Sequence, residues 1–148
     1  VKIAIKRLEH GRDLPLPHYA TSGAAGMDLF AAIDNEIELQ PGAIAAVPNG
    51  IALAVPYGWE AQLRPRSGMA LKFGVTVLNA PGTIDSDYRG EVKTILVNHG
   101  SKAFTVSRGM KVAQLVVAAH ARVEWIESDN LEATERADGG FGSTGLRL

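Results

Sequence analysis

Val75-Thr76-Val77-Leu78, then Pro81-Gly82-Thr83-Ile84-Asp85-Ser86-Asp87-Tyr88-Arg89-Gly90-Glu91, then Val92-Lys93-Thr94-Ile95-Leu96-Val97: this succession decides the fold. Two β-branched runs flank a polar stretch, which reads as a long hairpin with a decorated tip. Asp, Ser and Gly are ordinary turn residues, so the tip by itself would pass for a solvated loop. It also offers a carboxylate, Asp85, and an aromatic ring, Tyr88, three residues apart. A polar loop held by a rigid scaffold is where binding and catalytic groups concentrate.

Working outward, the same pattern recurs. Trp59-Glu60-Ala61-Gln62-Leu63-Arg64 alternates as a strand and delivers Pro65-Arg66-Ser67-Gly68-Met69-Ala70-Leu71, where a short helix is expected after Ser67. Ala43-Ile44-Ala45-Ala46-Val47 and Ile51-Ala52-Leu53-Ala54-Val55 are separated by Pro48-Asn49-Gly50. Asn-Gly between two apolar runs predicts a hairpin turn there. Val1 to Leu8 alternates with Val1, Ile3 and Ile5 on one face, and Ile37 and Leu39 precede the Pro41-Gly42 turn signal. The small-residue segment from Ala24 to Ala32 reads as a core strand with a Gly bulge, and its one acid, Asp28, needs a partner if buried. Downstream, Phe104-Thr105-Val106 and Val112-Ala113-Gln114-Leu115-Val116-Val117 flank Arg108-Gly109-Met110-Lys111. Short strands joined by Gly and Pro turns, with almost no helical periodicity, predict an all-β sandwich or barrel.

The 148 residues fit one domain, with a β core over about 1–127 and an arm over about 128–148. In the arm an acidic run (Glu127, Asp129, Glu132, Glu135) leads to Gly139-Gly140-Phe141-Gly142-Ser143-Thr144-Gly145, too rich in Gly to fold alone. One Phe among glycines, followed by two hydroxyls, suits a flap that orders over a ligand. It is not a Walker loop, because no Lys follows the glycines. With 15 basic and 16 acidic residues well mixed, no electrostatic footprint for long nucleic acid is present. No apolar run approaches the ~20 residues of a membrane helix, and the alternating, charged start is no signal peptide. The absence of Cys excludes disulfides and thiolate metal sites. A soluble, cytoplasmic protein is expected. His10, His18, His99 and His120 lack metal spacing and read as surface or packing residues.

Five segments taken together carry more than any one of them. Ala25-Gly26-Met27-Asp28-Leu29, Pro65-Arg66-Ser67-Gly68-Met69-Ala70 and Gly82 through Glu91 come first. Arg108-Gly109-Met110-Lys111-Val112-Ala113-Gln114-Leu115 and Gly139 through Gly145 follow. In this order and spacing they resemble the five motifs of the homotrimeric dUTP diphosphatase (dUTPase) family. Met69 stands where that family often has Leu, and Ala137 where it usually has Gly.

The resemblance implies a jelly-roll-like β-barrel or sandwich with one short helix and a flexible Gly-rich C-terminal arm. It implies a homotrimer with shared active sites, the arm of one chain reaching over a site made by the other two. The implied reaction is hydrolysis of dUTP to dUMP and pyrophosphate by water attacking the α-phosphorus. That reaction keeps uracil out of DNA and supplies dUMP for thymidylate synthesis. Asp85 would orient and deprotonate the water, and Tyr88 would stack against the deoxyribose and exclude a 2′-hydroxyl. Asn79 and the backbone of Thr83, Ile84 and Asp85 would read the uracil edge, with Lys93 closing the pocket from the opposite arm.

Arg66, Ser67 and Gly68 would take phosphate at the start of the helix, where free N–H groups point outward. Ser67 would stand near the scissile bridge, and Gln114 would be another phosphate contact. Phe141 would stack on the uracil, while Arg136, Ser143 and Thr144 hold the γ-phosphate. Mg2+ is expected on the triphosphate oxygens, largely through water rather than a protein cage. For Asp28 two roles stand side by side: a pair with Arg108 that fixes the subunit arrangement, or a place in the outer shell of the metal.

Two other readings remain open at this point. A dCTP deaminase resembles these enzymes in fold and phosphate binding, but needs a different acid/base set around the pyrimidine. A non-catalytic β-trimer that binds a nucleotide or a protein partner would share the fold.

Overall fold

The computed structural model describes residues 1–141; Ser143 and Thr144 lie outside the described residues. In chain order the strands are β1 (Ala4–Arg7), β2 (Met27–Phe30), β3 (Ile37–Leu39), β4 (Ile44–Ala54), β5 (Trp59–Arg64), β6 (Val75–Val77), β7 (Gly82–Ile84), β8 (Glu91–Asn98), β9 (Phe104–Val106) and β10 (Lys111–Ala119). The helix α1 (Ser67–Phe73) lies between β5 and β6. One sheet has the order β1-β4-β8-β6 and the other β2-β10-β5-β7, with β3 and β9 as a separate ribbon; every pairing is antiparallel. Neither large sheet closes on itself, so the expected all-β fold is a jelly-roll-like sandwich rather than a barrel.

Period-two alternation explains why the sheets face one another. Leu29, Ala61, Leu63, Ala113 and Leu115 turn inward from one sheet, and Val47, Leu53, Val75, Val92 and Leu96 turn inward from the other, forming one cluster. Polar groups inside that cluster are satisfied. The Asn98 amide donates to the carbonyls of Leu39 and Lys102, both at 2.8 Å, and its oxygen accepts from the Gly100 amide at 2.8 Å. The end of β8 is thereby tied to β3, with no polar atom of this side chain left bare.

The hairpin expected at Pro48-Asn49-Gly50 does not form. Both apolar runs belong to the single strand β4, and the register against β8 shifts between Pro48 and Ala52, so Asn49-Gly50 is a bulge. Burial explains the difference. The Asn49 side chain donates to the Phe30 carbonyl at 3.0 Å and accepts from the Thr94 hydroxyl at 2.9 Å. Gly50 takes φ +68° and donates its amide to Glu91 Oε1 at 3.0 Å. Asn49→Ala should leave the Phe30 and Thr94 groups without this partner and cost about 1–3 kcal/mol, read from denaturant midpoints.

Other expectations need smaller adjustments. The first strand begins at Ala4, and Val1, placed on its apolar face by the alternation, is 69% exposed. The helix runs from Ser67 to Phe73, as expected after Ser67. The last strand ends at Ala119, and residues 121–138 are exposed throughout, including Trp125, Ile126 and Leu131 at 89–91%.

Candidate active site

The two arms of the central segment do pair: β6 runs against β8 from Val75↔Asn98 to Val77↔Leu96. The chain between them is more than a tip. It crosses to the opposite sheet, where Gly82–Ile84 forms β7 against β5, with Thr83 facing Gln62. Strand β7 is the edge of that sheet, so its outer side presents unpaired backbone groups. Asn79 is drawn to the same place, since its Nδ2 lies 3.1 Å from where a Cβ on Gly82 would stand. The buried Ile84 side chain anchors the strand while Thr83 and Asp85 stay exposed.

Asp85 follows directly on β7. Its carbonyl accepts from the Tyr88 amide at 3.2 Å, and its carboxylate makes no hydrogen bond or ion pair among the described residues. A turn-capping role is therefore not what the side chain does here. Tyr88 is 45% exposed, and its hydroxyl donates to the Glu91 carbonyl at 3.0 Å. Lys93 sits on β8 in the other sheet, exposed and facing Pro48 across the ladder, with no hydrogen bond to Asn79 or to β7.

A second group of functional side chains gathers on the outer face of the β2-β10-β5 sheet. Asp28 faces Gln114, and Gln114 faces Arg64. Asp28 Oδ1 lies 3.1 Å from Arg66 Nε, and Oδ2 lies 2.8 Å from Lys111 Nζ. Arg66 also donates to the Lys111 carbonyl at 3.2 Å. Within the chain Arg108 pairs with Asp13 and donates to the carbonyls of Ile33 and His10, while Asp28 serves Arg66 and Lys111. The reason is register: β2 lies beside β10, and its acid looks out between the start of α1 and Lys111. Ser67 and Gly68, at that start, are exposed, and no described backbone carbonyl accepts from their amides.

Asp28 is only 13% exposed, and its Oδ1 sits within ion-pair distance of Arg66 without hydrogen-bond alignment. Burial pushes its carboxyl pKa upward. The Lys111 hydrogen bond, the Arg66 and Lys111 charges and the Gln114 hydrogen bond outweigh that and hold it below the usual 3.8. A carboxyl with a lowered folded-state pKa adds stability above its unfolded value and loses it as pH falls through the folded one. Asp28→Asn should therefore flatten the fall of stability below about pH 3.8, measured by thermal melts from neutral pH to pH ~2.

The two groups share a sheet. Asp28 on β2 stands three strand spacings of ~4.8 Å from β7, Gln114 on β10 two, and β5, which leads into Arg66, Ser67 and Gly68, is the direct neighbour of β7. No hydrogen bond or ion pair joins Asp85 to Arg66, Ser67 or Gln114. In the arm, Arg136 folds onto its own segment, donating to the Gly139 carbonyl at 2.8 Å, and Phe141 is fully exposed.

Sequence reasoning passed over Lys111, Glu91 and His10. Lys111 carries a signal in hindsight, being a cation at the start of a strand beside an acid-bearing one. His10 was read as a surface or packing residue, yet its Nε2 meets Glu91 Oε1 at 2.6 Å. Nothing local announces that pair.

Comparison with known proteins bears on this geometry. A family model described as dUTPase matches residues 12–145. The deoxyuridine 5′-triphosphate nucleotidohydrolase of Methylocella silvestris is 59% identical over 145 residues, covering 97% of this chain and 91% of the relative. Among solved structures, a mutant dUTPase of Staphylococcus bacteriophage 80alpha with dUpNHpp superimposes with a TM-score of 0.85 at 22% identity, covering 98% of this chain and 99% of that one. A mutant dUTPase of phage phi11 of S. aureus, described with the coordination of a structural Mg(II) ion, gives 0.76 at 20% identity, covering 90% and 100%. At such identities the structures speak for the fold.

Proposed function

The chain belongs to the dUTPase family and is a dUTP diphosphatase; we propose that Asp85 drives its chemistry by aligning a water for attack on the α-phosphorus, releasing dUMP and pyrophosphate. The observation that carries this is the Asp85 carboxylate itself, exposed at the end of an edge strand and engaged by no protein group among the described residues. A carboxylate in that state can accept a proton from water. Its weak basicity makes orientation the larger part of its work.

Recognition follows from the same segment. The open edge of β7 offers fixed backbone donors and acceptors to the uracil, with Asn79 beside Gly82. Such an edge acts as a pairing partner whose pattern cytosine does not match. The Tyr88 ring packs on the deoxyribose and rejects a 2′-hydroxyl by contact. Arg66, held by Asp28, takes phosphate together with Ser67, Gly68 and Gln114. Phe141 covers the base, and Arg136, Ser143 and Thr144 bind the γ-phosphate. Lys93, on β8 of the other sheet, is assigned to closing the uracil pocket from the opposite arm.

A homotrimer with shared sites belongs to the same proposal. Within one chain no hydrogen bond or ion pair joins Asp85 to Arg66, Ser67 or Gln114, and different copies complete one another's sites. The exposed Trp125, Ile126 and Leu131 give the chain after β10 apolar surface to lay on a neighbour. A free-nucleotide substrate suits a cytoplasmic location.

The residues present fit magnesium carried on the triphosphate. Among the described residues no three His, Asp or Glu side chains converge, and Asp28 already faces two cations. An outer-shell place for Asp28 would have to be shared with Arg66. When bound, Mg2+ supplies charge neutralisation on the phosphate oxygens.

The deciding experiment is pyrophosphate release from dUTP, with and without magnesium, beside dCTP, dTTP and UTP. Turnover confined to dUTP and enhanced by magnesium is expected. Ammonia from dCTP would favour a deaminase. Binding of dUTP without turnover would leave a nucleotide-binding module.

A further inference from the structure

We propose that Glu91 and His10 are positioning residues that set the discrimination between deoxyribo- and ribonucleotides by holding Tyr88. The proposal rests on the reading of Tyr88 as the surface against which the sugar packs. A ring that is 45% exposed can exclude one hydroxyl only if it is held in place, because a mobile ring would yield to the extra oxygen.

Two contacts hold Tyr88. Its hydroxyl donates to the Glu91 carbonyl at 3.0 Å. The ring lies so close over Gly90 that a Cβ at that position would stand 2.6 Å from Tyr88 Cζ. Position 90 is therefore a seat for the ring, and any side chain there would push the ring outward.

What fixes Glu91 comes from far along the chain. Its Oε1 accepts from the Gly50 amide at 3.0 Å and meets His10 Nε2 at 2.6 Å. A carboxylate only accepts, so Nε2 carries the proton. Glu91 is 17% exposed and His10 34%, so the hydrogen bond is partly shielded from competing water. His10 is itself held, since its carbonyl accepts from Arg108 at 2.7 Å, and Arg108 is anchored on Asp13. A line of contacts thus runs from Arg108 through His10 and Glu91 to the Tyr88 hydroxyl. None of the first three needs to touch the substrate.

The test is the ratio of kcat/KM for dUTP to that for UTP. Glu91→Ala and His10→Ala should each narrow it by roughly five- to tenfold, the scale of a lost positioning hydrogen bond. Glu91→Gln keeps an acceptor for Gly50 and His10 and should restore most of the ratio. In a Tyr88→Phe background, which already lacks the tethering hydroxyl, Glu91→Ala should add nothing further.

A ratio untouched by both Glu91→Ala and His10→Ala, with Tyr88→Ala collapsing it, would overturn the tether and leave the sugar filter standing. A ratio untouched by Tyr88→Ala would overturn the filter itself. Should Glu91→Ala fail to fold, His10→Ala decides alone, since it removes one part-exposed imidazole. Additive losses in the double variant would likewise sink the proposal, because they would place Glu91 outside the path to Tyr88.

Discussion

Asp85→Asn is expected to bind dUTP nearly as the parent does and to turn it over ~10²-fold or more slowly. The substitution keeps the size of the side chain and one carbonyl oxygen. It removes the charge and the ability to accept a proton. Because the Asp85 carboxylate bonds to nothing else among the described residues, no structural partner is lost with it. The melting temperature should stay that of the parent, so a fall in rate would be chemical in origin. Single-turnover pyrophosphate release, read beside calorimetric binding of dUTP, separates the two effects. Hydrolysis at the parent rate would remove Asp85 from the mechanism.

Deleting the chain from Gly139 onward should lower turnover by about 10²-fold while leaving the fold intact. Among the described residues, none from Gly139 onward belongs to the hydrophobic core. Phe141 is fully exposed, and among the described residues the polar contacts reaching this end join Arg136 and Gly139 to each other, local to the arm. What the deletion takes away is the cover proposed for the base and the hydroxyls proposed for the γ-phosphate. Thermal melts and sedimentation of the truncated protein should match the parent. Loss of the proposed trimer on truncation would mean that the arm is structural, and unaltered turnover would mean that the site closes without it.

The strands most open to reading were those whose pattern is purely local. Trp59–Arg64 and Phe104–Val106 alternate cleanly, are bounded by turn residues, and occupy those same bounds in the fold. The short helix expected after Ser67, through Met69, Ala70 and Leu71, is also present, as Ser67–Phe73. Strand β7 was not, because Gly82-Thr83-Ile84 is three residues long with a single large apolar side chain. Its strand character comes from pairing with Gln62 and Leu63. At Asn49-Gly50 the local signal was strong and wrong, since burial against Phe30 and Thr94 outbid turn chemistry.

The site divides along the same line. Residue types in five ordered motifs pointed to Asp85, Tyr88 and Arg66. The company those residues keep was out of reach. Arg66 and Lys111 meet on Asp28 only because β2 and β10 become neighbours. His10 and Glu91 are 81 positions apart, beyond any window that periodicity can scan. Long-range pairs of this kind are made by the sheet, and they are where the sequence alone falls silent.

The bulge at Asn49-Gly50 also bears on how the molecule ages. Asn-Gly is the dipeptide most prone to deamidation, because the glycine nitrogen attacks the asparagine side chain through a five-membered imide, and this is its only occurrence in the chain. Here the attacking nitrogen is committed to Glu91 and the side chain under attack is pinned between Phe30 and Thr94. Folding thus locks the chain's most perishable bond. Aspartate or isoaspartate accumulating at position 49 in stored protein would be a clock that runs only while a molecule is unfolded.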